Sequence, residues 1–74
     1  MARIRNEKFI KALGNRVREV RLSKGMTMEQ LAEGARIDYQ QVLRVESGKV
    51  NATVSTMHGI AEALGMAISE LFNF

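Results

Sequence analysis

A small all-helical domain is the fold class this sequence predicts, on three observations. Seventy-four residues suffice for one domain and leave no room for a second. Proline is absent and aromatic residues are only 5%, so the 46% hydrophobic share falls on helix formers rather than on strand-forming runs. The apolar positions also recur at helical spacing, punctuated by glycines and by Thr and Asp at cap positions.

The first helix is expected from about Asn6 to Lys24. Phe9, Leu13, Val17 and Val20 form its apolar stripe with Ile10 beside them, and Gly25 follows the basic last turn as its stop. A short second helix opens at Thr27, where Gln30 three residues on completes a capping-box pattern. Leu31 and Ala32 face inward, and Gly34 is expected to end it before a tight turn through Ala35 and Arg36. Asp38 is placed to cap a third helix with its carboxylate. Ile37 precedes it as a buried residue, and the helix runs through Val42 and Val45 to Ser47, with Gly48 as the stop. Thr53 caps a fourth helix on which Val54, Met57, Ile60, Ala61 and Leu64 make one continuous stripe up to Gly65. A last short turn carries Ile68, Leu71 and Phe72, with Phe74 at the terminus.

Composition removes several function classes. The hydrophobic share and mixed charge argue against disorder. No apolar run approaches the roughly 18 residues of a membrane span, and no apolar stretch follows the basic N-terminus as a signal peptide requires. Cysteine is absent and His58 is the single histidine, so neither a disulfide nor a Cys/His zinc site can be built. No nucleophile elbow, phosphate-cradling glycine loop or acid/base pair is present, which argues against an enzyme. No cofactor, metal, membrane or small-molecule ligand is expected, and the expected location is cytoplasmic.

The net charge of +3 is unevenly spread. Residues 1–24 carry eight basic groups against Glu7 and Glu19, a balance of +6. Residues 25–49 sum to −1, and residues 50–74 hold only Glu62 and Glu70, for −2. A chain polarised in this way can meet a polyanion with one side and another partner with the other.

Two short helices at a tight turn, the second with a polar free side, make the pattern of a DNA-reading helix-turn-helix. At about 100° per residue, Val42 inward puts Asp38, Val45 and Glu46 on its side and Gln40, Arg44 and Ser47 opposite, with Gln41 and Leu43 flanking. Gln matches the donor–acceptor edge of adenine and Arg that of guanine. Glu46 on the inner side needs a basic partner. Arg21, one turn after Val17, is the candidate, since a guanidinium can hold a carboxylate by two bonds and still offer an N–H to a phosphate.

The run Leu13-Gly14-Asn15-Arg16-Val17-Arg18-Glu19-Val20-Arg21 resembles the first helix of the Xre family, the Cro/cI-type, lambda-repressor-like helix-turn-helix domains. Met26-Thr27-Met28-Glu29-Gln30-Leu31-Ala32 resembles the start of that family's second helix. Val42-Leu43-Arg44-Val45-Glu46-Ser47-Gly48-Lys49 resembles its third-helix signature. Ile60-Ala61-Glu62-Ala63-Leu64-Gly65 and Glu70-Leu71-Phe72 are similar to its C-terminal pattern. The resemblance covers residues 9–72 without gaps, in a chain divided into a basic arm and helix start (1–8) and a helix-turn-helix domain (9–74).

The resemblance implies a compact five-helix domain with the helix-turn-helix in helices two and three. It implies a transcriptional regulator that binds a pseudo-palindromic operator in double-stranded DNA as a homodimer. The base readers would be Tyr39, Gln40 and Arg44, with Gln41 at the edge. Phosphate contacts would come from Arg21, from Thr27 and Met28 at the start of helix two, and from Ser47, Lys49 and Asn51, with Glu46 orienting Arg21. A restriction-modification controller or an antitoxin-like role would share this scaffold.

Four positions depart from the family pattern. Met28 replaces a phosphate-holding Gln, Arg36 stands at a usual Gly, Ala52 at a frequent Pro, and Leu43 where a polar residue is common. Leu43 either touches a thymine methyl or packs. Met28, Arg36 and Leu43 favour the competing reading, a protein-interaction module of the same fold. Gly59 inside the fourth helix is explained by close approach of another helix, with a second protomer as one source, or by chance variation. Leu71, Phe72 and Phe74 are the candidates for a dimer surface at the uncharged pole, and the arm Met1–Arg5 could track phosphates.

Overall fold

The computed structural model describes residues 6–74, which are all-helical. The arm Met1–Arg5 lies outside the described residues. Five helices follow in order: α1 (Glu7–Ser23), α2 (Met28–Ala35), α3 (Tyr39–Glu46), α4 (Val54–Ala63) and α5 (Ile68–Leu71).

Local chemistry sets most boundaries. The Asn6 side chain accepts from the Phe9 N–H at 3.0 Å and starts α1. Thr27 and Gln30 form the reciprocal capping box at α2. Thr53 accepts from the Thr56 N–H at α4. Two expected boundaries change. Asp38 does occupy the cap position of α3, but its carboxylate makes no capping bond. The Asp38 carbonyl closes the first turn instead, accepting from Gln41 and Val42. Gly34 does not end α2: the helix continues to Ala35 and closes on Arg36, with the Ile37 N–H donating to the Ala32 carbonyl at 3.0 Å. Gly34 is retained inside the helix because a Cβ there would lie 3.0 Å from the Ala63 Cβ on α4.

The core is built where α2 packs on α4 and α1 crosses α3. Val17, Leu31, Val42, Ile60, Leu64 and Leu71 are fully enclosed, and each contributes roughly 1.5–3 kcal/mol of burial. Met57 lies in the core, with Met26 and Met66 packed against it. Two further glycines permit the crossings. A Cβ on Gly14 would collide with the backbone carbonyls of Val45 and Glu46 at the end of α3. A Cβ on Gly59 would sit 3.0 Å from the Ala35 carbonyl, so α2 of the same chain supplies the close approach at Gly59.

Three stripe positions depart from expectation. Ile10 is buried in place of Phe9, whose ring lies on the surface against Phe72 and Phe74 at 6.1 and 5.4 Å. Val54 is 79% exposed, because the first residue of α4 turns out at the rim of the bundle. Leu71 is fully buried in the chain's own core and is removed from the dimer surface. Arg16 secures this end: its Nε and Nη2 donate to the carbonyls of Leu71 and Glu70 at 3.2 and 2.9 Å, beside the Asn73 N–H that Glu70 also accepts.

Candidate nucleic-acid interface

The interface starts from the turn between α2 and α3. Arg36 adopts φ 60°, ψ 42°, the left-handed region, which costs a non-glycine residue about 1–2 kcal/mol. The Ile37 bond and half-buried Ile37 side chain hold the turn and so fix the angle at which α3 leaves α2.

The inner side of α3 is anchored twice. Val42 and Val45 enter the core. One turn on, Glu46 meets Arg21 of α1 in a two-bond fork: Nε to Oε2 at 2.7 Å and Nη2 to Oε1 at 2.9 Å. Arg21 Nη1 also donates to the Met26 carbonyl at 2.9 Å. One guanidinium therefore joins α1, the α1–α2 connection and α3. These bonds outweigh the opposing effect of burial and hold Arg21 above its already high pKa range, so the guanidinium keeps its charge. Three of its five N–H groups are committed within the protein.

With its back fixed, α3 presents an outer face. Gln40, Arg44 and Ser47 are exposed on one side, with Tyr39 and Leu43 beside them at 41% and 40%. The Ser47 hydroxyl donates to the Leu43 carbonyl at 2.7 Å, folding back onto the helix. Gln41 is not on this face. It is half-buried and directs its amide to the Thr56 hydroxyl of α4 at 3.5 Å. The geometry brings Tyr39, Gln40 and Arg44 together and separates Gln41 from them.

Beside the face runs an open cleft of about 220 Å³, lined by Arg18 and Arg21 of α1, Met28 of α2, and Leu43, Glu46 and Ser47 around the end of α3. The capping box occupies the N–H groups of Thr27 and Gln30. That leaves the first-turn amides of Met28 and Glu29 directed outward, as at any helix N-terminus, where anions are favoured. Lys49 and Asn51 are exposed on the loop after α3. Residue-by-residue reading missed Arg18, although its spacing three before Arg21 puts both on one helix face.

On the α5 side of the molecule, Phe9, Phe72 and Phe74 form an exposed aromatic cluster. A groove of about 170 Å³ adjoins it, with Val54 at its edge. Among the described residues, no group of three or more His, Cys, Asp or Glu side chains is placed to hold a metal, and no helix is long and apolar enough to cross a membrane.

A short helix stapled at its back to a compact bundle, with two adaptable hydrogen-bonding side chains in front, is the architecture of a helix-turn-helix transcriptional regulator. Residues 17–71 match the helix-turn-helix family, and the chain belongs to that family, in its Xre-type branch. It is 34% identical over 59 residues to an uncharacterised HTH-type transcriptional regulator of Archaeoglobus fulgidus, covering 80% of this chain and 84% of that protein. It is 30% identical to the immunity repressor protein of Bacillus phage phi105, over 80% of this chain but only 41% of the repressor. Among solved structures, the restriction-modification controller protein C.AhdI of Aeromonas hydrophila superposes with a TM-score of 0.82 at 33% identity, covering 89% of this chain and 98% of that one. These relatives are regulators rather than enzymes.

Proposed function

We propose that the chain is a sequence-specific DNA-binding regulator that acts in the cytoplasm as a homodimer on a pseudo-palindromic operator. One observation carries this reading: Gln40 and Arg44, one turn apart, project from a helix whose opposite side is held by Val42, Val45 and the Arg21–Glu46 fork. A reading helix must present its donors in a fixed frame, because a bidentate match to a base edge tolerates little angular error. α3 enters the major groove. Gln40 and Arg44 read base edges, and Tyr39 covers the flank. The Met28 amide, Arg18, Ser47, Lys49 and Asn51 meet phosphates, and Thr27 shapes the helix end that offers the amide. Arg21 acts mainly as the clamp and reaches a phosphate only through the cleft.

The dimer surface in this reading is formed by Phe72 and Phe74 with Phe9 and Val54. Half-sites one turn of DNA apart would require two copies joined there to hold their reading helices about 34–36 Å apart.

Selection from a random duplex pool at fixed, near-physiological salt tests the proposal, with Gln40→Ala and Arg44→Ala chains in parallel. A two-fold-symmetric motif is expected, with the preference at one position per half-site relaxed in each variant. Binding with no sequence preference, or none at all, overturns it and favours a protein partner, with the aromatic cluster as the surface to probe.

A further inference from the structure

Leu43 is the apolar side chain on the exposed side of α3, and nothing in the fold calls for it there. It is 40% exposed and belongs neither to the core nor to the half-buried shell around it. It comes three residues after Gln40 and one before Arg44, so it points into the space those two reach. Across the cleft stands Met28, whose side chain is half-buried against the core and whose thioether adapts to irregular apolar shapes. Arg18 and Ser47 supply the polar rim of the same cleft. This is an apolar niche with a cationic edge, opening beside the base-reading face.

The major-groove edge of DNA carries one apolar group, the methyl on C5 of a pyrimidine. It lies beside its own sugar-phosphate, so a niche with a basic rim matches both halves of that environment. We infer that Leu43, backed by Met28, reads a pyrimidine C5-methyl group at one position of each half-site. The inference rests on the proposed DNA-reading function and adds one element of its specificity. A polar residue at position 43 would lose water on contact with the methyl and gain nothing in return. Leu43 instead gains by exclusion of water from both apolar surfaces.

The methyl belongs to thymine or to 5-methylcytosine, and two arms separate the sources. The probe is the duplex recovered by selection. In one arm each thymine in turn becomes deoxyuridine, which removes the methyl and leaves every hydrogen-bonding group in place. In the other, each cytosine in turn becomes 5-methyldeoxycytidine. Affinities of the wild-type chain and of Leu43→Ala are measured at one salt concentration. Leu43 is exposed, so the variant keeps its fold, which a melting curve checks.

The expected result is a roughly 3- to 5-fold change in affinity for the wild-type chain at one position per half-site, the scale of one buried methyl group. Weakening by deoxyuridine assigns the methyl to thymine, and strengthening by 5-methyldeoxycytidine assigns it to methylated cytosine. In Leu43→Ala that change shrinks to unity. The inference is overturned if no methyl alteration changes wild-type affinity, or if the change persists undiminished in Leu43→Ala. Either result leaves the selected motif and the regulator reading standing. Failure to recover any motif removes both.

Discussion

Replacing Glu46 with alanine removes both acceptors of the Arg21 fork and leaves the guanidinium in place. The two side chains are 9% and 6% exposed, so Arg21 would keep its charge, lose two bonds and gain little water. Breaking a buried pair on one side costs about 3–5 kcal/mol. The fork borders a cleft open to solvent, which places the loss near the lower end, about 3 kcal/mol. A chain of 74 residues has a total stability of about 4–11 kcal/mol, so this is a large fraction. At about 4–8 °C per kcal/mol for a domain of this size, the melting temperature falls by roughly 12–24 °C. The companion variant is Arg21→Met with Glu46→Leu, which removes both charges and fills similar volume. It is expected within about 1 kcal/mol of the wild-type chain, because neither charge is then buried alone. Urea denaturation of Arg21→Met, Glu46→Leu and the double variant completes the cycle. Additive losses in the double variant, or a Glu46→Ala melting temperature within a few degrees of wild type, would refute the claim that the fork is a buried, mutually dependent pair.

Other substitutions probe the turn, the helix crossing and the surfaces. Arg36→Gly relieves a left-handed backbone cost of about 1–2 kcal/mol and gives back part of it to the freer unfolded chain. A net gain of about 0.5–1 kcal/mol in urea denaturation is expected, and a loss would show that the Arg36 side chain makes a compensating contact. Gly14→Ala should destabilise by about 1–3 kcal/mol through overpacking on the Val45 and Glu46 carbonyls, although alanine is the better helix former; thermal unfolding shows which effect wins. Arg44→Ala should cost about 1–3 kcal/mol on the preferred duplex and relax one base position, read by competition binding, whereas equal weakening on every sequence would make Arg44 a phosphate contact. Phe72→Ser with Phe74→Ser should shift the chain to monomer by light scattering at micromolar concentration. An unchanged oligomeric state would place the dimer contact elsewhere.

The parts of the fold that were legible in the sequence rest on short-range chemistry. The Thr27/Gln30 box and the Thr53 cap act within one helical turn, so their residue types announce the helix starts. The partnership of Glu46 with Arg21 could be foreseen because an inward carboxylate needs a cation and the helical phase of α1 offered one. Reading failed where a residue's fate depended on what stood opposite. Gly34 has the composition of a stop yet lies inside α2, since Ala63 of α4 requires a small neighbour there. Phe9 and Val54 follow helical periodicity and are exposed, because periodicity finds a face but not where the bundle ceases to cover it. Gln41 is as polar as Gln40, and only the position of α4 directs it to Thr56 instead of outward.

The sequence by itself determined an all-helical chain, its helix starts, the basic bias of its first third and the alternation of buried and free residues on the third helix. Caps, glycines and 3.6-residue spacing act along the chain and need no partner. Only the tertiary structure decided which exposed residues form one surface. It placed Arg18, Met28 and Leu43 around a single cleft, gave Leu71 to the core and left Phe72 and Phe74 outside it. Those outcomes depend on the crossing of α1 with α3 and of α2 with α4. Such crossings are set by backbone approach at Gly14, Gly34 and Gly59, a fit between distant segments that no local pattern encodes.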